Sequence, residues 1–309
     1  MSTNYRNQDK EVKELLAQVE LSYPLLAARV GVMKQHNVKD ADKVTFTTID
    51  LDKGSVVPSL MHPEMTEINH INAGTKSFSF RPYLLGLNYR VSHLQSETDT
   101  SGVISAAVRE LSVLFDTQTI LGTRLNKGLI STKSADNPFY DVLTQDTTLK
   151  AAATAEAKIA ALKAVFQKIE DEFATKNSAR SIDIYYWGDS LTALFNANNV
   201  ATDATILAVA RQVFTIPVSF IKLPKLALQQ KYIDGAKANA LPATDGMVAV
   251  DPQSVRVDYV QLPAPVASGE NEEEEYSWYK MRTGSVSVLP IREAGIVLQT
   301  VDFTVSSGS

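Results

Sequence analysis

The residues best able to do chemistry in this chain are four histidines, His36, His62, His70 and His93, and an acidic run, Gly269-Glu270-Asn271-Glu272-Glu273-Glu274-Glu275. A metal site needs histidines and carboxylates at short spacings, so that one helix face or one turn presents several ligands together. No two of these histidines stand at such a spacing with carboxylate company, although His62 and His70 share one stretch. Surface or loop positions are therefore expected for all four. The acidic run lacks the alternating oxygen ligands and central glycine of a helix–loop–helix calcium site. Like charges this close repel, so a solvated, extended loop facing away from any nucleic acid is expected. Nucleophile and phosphate motifs are equally thin: there is no GxSxG, no Walker A motif and no GxGxxG. Gly54, Gly74 and Gly86 are single turn glycines. Asp189-Ser190 reads as a helix cap, because no histidine lies near it in sequence. The absence of cysteine excludes disulfides, thiolate metal sites and cysteine nucleophiles together. No catalytic, cofactor-binding or metal-ligating residue is assigned.

Bulk properties narrow the class further. The 309 residues allow two domains and a large core. Apolar residues make up 44% and charged residues 21%, an ordinary globular balance. Lys plus Arg number 30 against 35 Asp plus Glu, a net charge of −5, whereas proteins built to grip nucleic acid are usually basic. No apolar run approaches the ~20 residues of a membrane span. The polar start MSTNYRNQDKEVKELL has no signal-peptide core, so a cytoplasmic chain is expected.

The elements organise around residues 97–130. Val103, Ile104, Ala107, Val108, Leu111, Leu114 and Phe115 recur at helical spacing and draw one apolar stripe. Thr98, Asp99 and Thr100 offer N-cap oxygens, and Gly122 sits where a left-handed stop belongs. The helix would span roughly 36 Å at ~1.5 Å per residue. Its polar face is expected to be outer surface. Before it, residues 8–35 read as a helical arm with Val12, Leu15, Leu16 and Val19 on one face and a break at Pro24, followed by LLAARVGVM. Residues 44–80 form a long β excursion with a turn at Asp52-Lys53-Gly54, and 83–95 a strand feeding the long helix. After the helix, SADNPFYDVL reads as loop, with a short turn starting at Asp141–Gln145. Residues 147–177 read as a second helix carrying Ala155, Ile159, Leu162, Phe166 and Ile169. SIDIYYWG, DSLTALFNA, TDATILAVARQVF and IPVSFIKL then alternate strand, helix, helix, strand. Residues 246–305 turn mostly β, and Ser285–Leu289 is expected to pair with Ile296–Val305 in one sheet.

The order of these pieces, with "LG…GLI" after the long helix (Leu121, Gly122, Gly128, Leu129, Ile130), "IPV" at Ile216–Val218 and "RTGSV" at Arg282–Val286, resembles the tailed-phage major capsid protein of the Hong Kong 97-type fold. Bacterial encapsulin shells share that fold. The resemblance covers nearly the whole chain. It implies an α+β fold with an N-arm at 1–43, an E-loop hairpin at 44–80, a P-domain with the spine helix at 81–145, an A-domain at 146–245, and P-domain return strands and C-terminus at 246–309.

The resemblance implies a structural protein, not an enzyme, that self-assembles as pentamers and hexamers into an icosahedral head around double-stranded DNA. Partners would be further copies of itself, a portal protein, separate scaffolding or decoration proteins, and packaged DNA by non-specific contact, with no membrane and no cofactor. It would reside in the virion after assembly in the host cytoplasm. The short arm after Met1 implies that any scaffold is a separate protein. The family's type member cross-links Lys to Asn between subunits; Lys53 stands where a donor could be offered, but no matching asparagine or glutamate is identified, and its plain reading is a turn residue. The alternatives are an encapsulin-type compartment loaded with a cargo enzyme, and, more weakly, a soluble α/β enzyme with a β appendage.

Overall fold

The computed structural model describes residues 25–37, 43–49, 73–92, 100–130, 139–152, 154–176, 179–199, 204–271, 276–292 and 294–302. The first described elements are a single helical turn, α1 (Ala27–Val30), and a strand, β1 (Val32–Gln35). The helix expected to continue through LLAARVGVM therefore stops at Val30. Gly31 lies so close to another strand that a Cβ there would sit 2.4 Å from the Val255 carbonyl oxygen. That contact turns the next residues into a parallel partner of a strand more than 200 residues later in sequence, Val32 opposite Arg256.

Strands β2 (Lys43–Ile49) and β3 (Ala73–Ser79) form an antiparallel hairpin, Lys43 opposite Ser79 and Ile49 opposite Ala73. Lys53, Pro58, His62, Pro63 and His70 fall in sequence between these strands, outside the described residues; His93, further along, lies outside them too. Strand β4 (Leu84–Ser92) leads to the spine helix α2 (Thr100–Leu121). Gly122 ends the helix in the left-handed region at φ +63°, as its place in the sequence predicts. The cap candidates Thr98 and Asp99 fall outside the described residues.

Tyr140–Val142, expected as loop and turn, is instead a short strand, β5, parallel to the last strand of the chain. The helix expected over 147–177 is two: α3 (Thr148–Ala151) and α4 (Ala155–Lys176), broken where Ala152 is extended at ψ 104°. Leu162, Val165, Phe166, Ile169 and Phe173 bury the inner face of α4, while Lys163, Gln167, Lys168 and Asp171 stay exposed. Next come β6 (Ile182–Trp187), α5 (Asp189–Asn196), the short pair β7 (Asn198–Asn199) and β8 (Ala204–Thr205), α6 (Ile206–Arg211), β9 (Val218–Lys222) and α7 (Gln230–Ala236). The last strands are β10 (Asp245–Val250), β11 (Val255–Tyr259), β12 (Ala264–Asn271), β13 (Tyr276–Gly284), β14 (Val286–Pro290) and β15 (Ile296–Val301).

Among the described residues, three sheets have more than two strands. A five-stranded sheet runs β5-β15-β10-β6-β9, a small one β1-β11-β14, and a third β12-β13-β4. The pairing expected between Ser285–Leu289 and Ile296–Val305 does not form. β14 pairs with β11, and β15 pairs with β10 and β5. Both strands are apolar enough for any sheet, so local pattern leaves the partner open and topology decides it. The five-stranded sheet thus draws strands from both sides of the 245/246 boundary expected from sequence.

That sheet is buried on both faces, which explains the near-continuous apolar run of β6. Tyr185, Trp187, Val248, Val250, Ile296 and Leu298 join one core with the end of α2, with α7 and with the small sheet. Ile184, Tyr186, Met247, Ala249, Val297 and Val301 join a second core under α4, α5 and α6. Burying each large apolar side chain contributes about 1.5–3 kcal/mol.

Candidate functional site

The spine is the part that other elements attach to, and its polar residues show how. From Leu111 to Leu121 the helix is buried almost all round, including Ser112, Asp116, Thr117, Gln118 and Thr119. The expectation that its polar face forms outer surface therefore fails over this half. Ser112, Thr117 and Thr119 donate to the carbonyls of Val108, Val113 and Phe115, one turn back. Thr117 also reaches the Ala227 carbonyl at 2.8 Å. Asp116 Oδ1 accepts from the Leu26 backbone N at 3.0 Å and so caps α1. Gln118 donates to Tyr83 Oη and to the Ala236 carbonyl, each at 3.1 Å. Burial raises the Tyr83 hydroxyl above its ordinary pKa, although bonds from Thr123, Gln118 and Asn126 oppose the shift.

The motifs that carried the resemblance have a physical reason. Gly122 and Gly128 touch: a Cβ on Gly128 would come 2.1 Å from Gly122 N. This lets Leu129 and Ile130 double back and donate to the carbonyls of Thr119 and Ile120. Those are carbonyls a helix end would otherwise leave unpaired. In "RTGSV", Gly284 marks the passage from β13 to β14, where a Cβ would meet Gln261 N at 2.4 Å. Next to it, Ser285 accepts from Tyr83 N and donates to the Arg81 carbonyl. The Asn126 side chain grips Arg81 from both sides, accepting its N–H and donating to its C=O. The "IPV" stretch leads into β9, which starts at Val218, with the Pro217 carbonyl accepting from Ile182 N.

The chemically able residues are dispersed. His36, expected at the surface or in a loop, follows β1 outside any helix or strand, but its side chain is only 11% exposed. Its Nε2 lies 2.6 Å from Asp258 Oδ1. The signal was the apolar-flanked Asp258 in β11, which no local spacing links to a histidine so far away in sequence. Asp189 does not cap α5. The N-terminal turn is held by Asp245, whose Oδ2 accepts from Leu191 N at 2.7 Å, while exposed Asp189 pairs with Lys225. Of the acidic run, Gly269–Asn271 belongs to strand β12 and pairs with β13, not to a loop; 272–275 lie outside the described residues. Among the described residues, no three His, Asp or Glu side chains gather as metal ligands, and no helix is long and apolar enough to cross a membrane.

No family model matches the sequence, and no curated protein does. Solved structures do match. A virus-like particle from Pyrococcus furiosus superposes with a TM-score of 0.57 at 9% identity, over 94% of this chain and 98% of the other. The capsid of Myoviridae phage XM1 gives 0.55 at 13% identity, over 90% and 92%. The mature capsid of bacteriophage PhiM1 gives 0.54 at 12% identity, over 91% and 88%. The chain has the α+β Hong Kong 97-type capsid fold.

Proposed function

We propose that this chain is a structural shell subunit: the major capsid protein of a tailed phage. It self-assembles as pentamers and hexamers into an icosahedral head around double-stranded DNA. The supporting observation is the fold shared with capsid shells over at least 90% of this chain in the three cases above. In this reading 1–43 is the N-arm and 44–80 the E-loop. Residues 81–145 form the P-domain, with return strands and the C-terminus in 246–309. Residues 146–245 form the A-domain, whose sheet also takes in β5, β10 and β15 across those bounds. Repetition of lateral contacts on the order of 1,000 Å² each gives such a wall its strength. Portal, scaffolding and decoration proteins and the packaged DNA are its partners, in a virion assembled in the host cytoplasm.

Electron microscopy of the purified protein tests this. Closed shells of uniform diameter are expected; monomers at every concentration and salt would overturn it. Deleting 50–72 should leave a folded subunit that closes no shells, and normal particles from that deletion would refute the E-loop assignment.

A second reading, an encapsulin-type compartment, is favoured by the likeness to the Pyrococcus furiosus particle, which spans 98% of that chain. The content of purified particles separates the two: nucleic acid for a phage head, protein cargo for a compartment.

A further inference from the structure

The β2–β3 hairpin pairs only with itself among the described residues. No other sheet fixes its direction, so its roots must. Its incoming chain leaves the body at His36. His36 N donates to the Tyr259 carbonyl at 2.7 Å, and Gln35 Nε2 reaches the Val260 carbonyl at 3.3 Å. Its outgoing chain re-enters at Phe80, one residue after β3 ends, and Phe80 is buried at once. The two roots touch: the rings of His36 and Phe80 lie 5.3 Å apart between centroids, tilted by 50°. Beyond Phe80 the chain is clamped by Asn126 and Ser285, as described above.

Beneath this neck sits Asp258, whose side chain is wholly buried. Its Oδ2 accepts from Arg256 Nε and Nη2, each at 3.1 Å. Its Oδ1 faces His36 Nε2, and since a carboxylate only accepts, Nε2 carries the hydrogen. A buried carboxylate bonded on both oxygens holds its partners far more firmly than an exposed one, because breaking either bond leaves a desolvated charge under-compensated.

We infer that Asp258, held by Arg256, fastens His36 against Phe80 and so sets the angle at which the E-loop hairpin leaves the body. His36 and Asp258 are positioning residues for assembly; this function rests on the shell reading. A hairpin held at one angle meets neighbouring subunits already oriented, which lowers the ordering cost of assembly.

The test uses the full chain, whose lack of cysteine lets two introduced ones be labelled cleanly. Thr47→Cys on β2 and Lys163→Cys on α4 carry spin labels, and dipolar spectroscopy reads their distance distribution in dilute, dissociated subunits. With His36 present the distribution should be narrow. His36→Leu keeps an apolar side chain against Phe80 but loses Asp258; it should shift and broaden the distribution, and particles should lose their uniform diameter. His36→Gln, which can still donate to Asp258, should restore both. If His36→Leu does not fold, His36→Phe, which keeps a ring against Phe80 and loses the bond to Asp258, carries the same comparison. An unchanged distribution in a folded variant overturns the lock, even if particles fail to form. A broadened distribution in a protein that never assembles upholds the lock and defeats the shell reading instead.

Discussion

Helices α2 and α4 have the same length, 22 residues each, and opposite designs. α4 buries one face and leaves Lys163, Gln167, Lys168 and Asp171 to solvent, the usual arrangement for a helix on a sheet. The second half of α2 has no free face. Its hydroxyls turn back on their own helix, and its Asp116 and Gln118 bond three other segments, at Leu26, Tyr83 and Ala236. One helix is cladding, and the other is a strut into which α1, the root of β4 and α7 are pinned. The difference teaches that in α2 polar residues hold parts together, whereas in α4 most meet water, apart from buried Glu170, which accepts from Thr215 N, and Lys168, which bonds Asp146.

Leu111→Asp should break that contrast most severely. It places an unpaired charge at a fully buried position and should cost about 4–5 kcal/mol or more, seen as loss of cooperative thermal unfolding; Lys163→Asp on α4 should unfold like the parent. Gly128→Ala comes next. Backbone atoms on Gly122 and Leu121 block the new Cβ, so the chain must shift, and a cost of about 3 kcal/mol is expected by chemical denaturation. Asp116→Ala should cost about 1–3 kcal/mol, because Leu26 N loses its acceptor, while Asp116→Asn should recover part of it.

A smaller effect, with a sign in pH, belongs to Asp146 beside α4. Burial raises its carboxyl, but bonds from Lys168 and Thr148 outweigh that and hold it below its ordinary value. Its folded pKa is thus depressed, so its contribution is present above the unfolded pKa of about 4 and fades as pH falls through the folded value. Asp146→Asn should melt below the parent at pH 7, and the gap should close in acid below about pH 4. Last, Gln167→Ala, which removes an exposed bond to Asp171 within α4, should change stability by no more than about 0.5 kcal/mol.

Periodicity made the apolar stripe of α2 legible, along with its glycine stop and the strands β6, β9 and β10. It could not show that Ser112, Thr117 and Thr119 are buried, because a hydroxyl bonded one turn back looks the same in sequence as one facing water. The partners of β14 and β15, and the parallel seat of β1, were hidden because pairing across the chain leaves no local trace. The cap on α5 was misplaced for the same reason: its carboxylate, Asp245, comes from a strand 54 residues on. The glycines of "LG…GLI" and "RTGSV" were noticed as motifs, but only the packing shows that Gly128 and Gly284 stand where no side chain fits.

The partner of His36 lies 222 residues further along the chain. Synthesis proceeds from the N-terminus at roughly 5–20 residues per second, so His36 waits on the order of 10 s for Asp258 to be made. Throughout that interval the root of the hairpin lacks this fastening, although Phe80 and Asn126 are made before it ends. The order of translation thus makes this contact among the last to close, and an unfinished chain holds its hairpin without the bond that aims it.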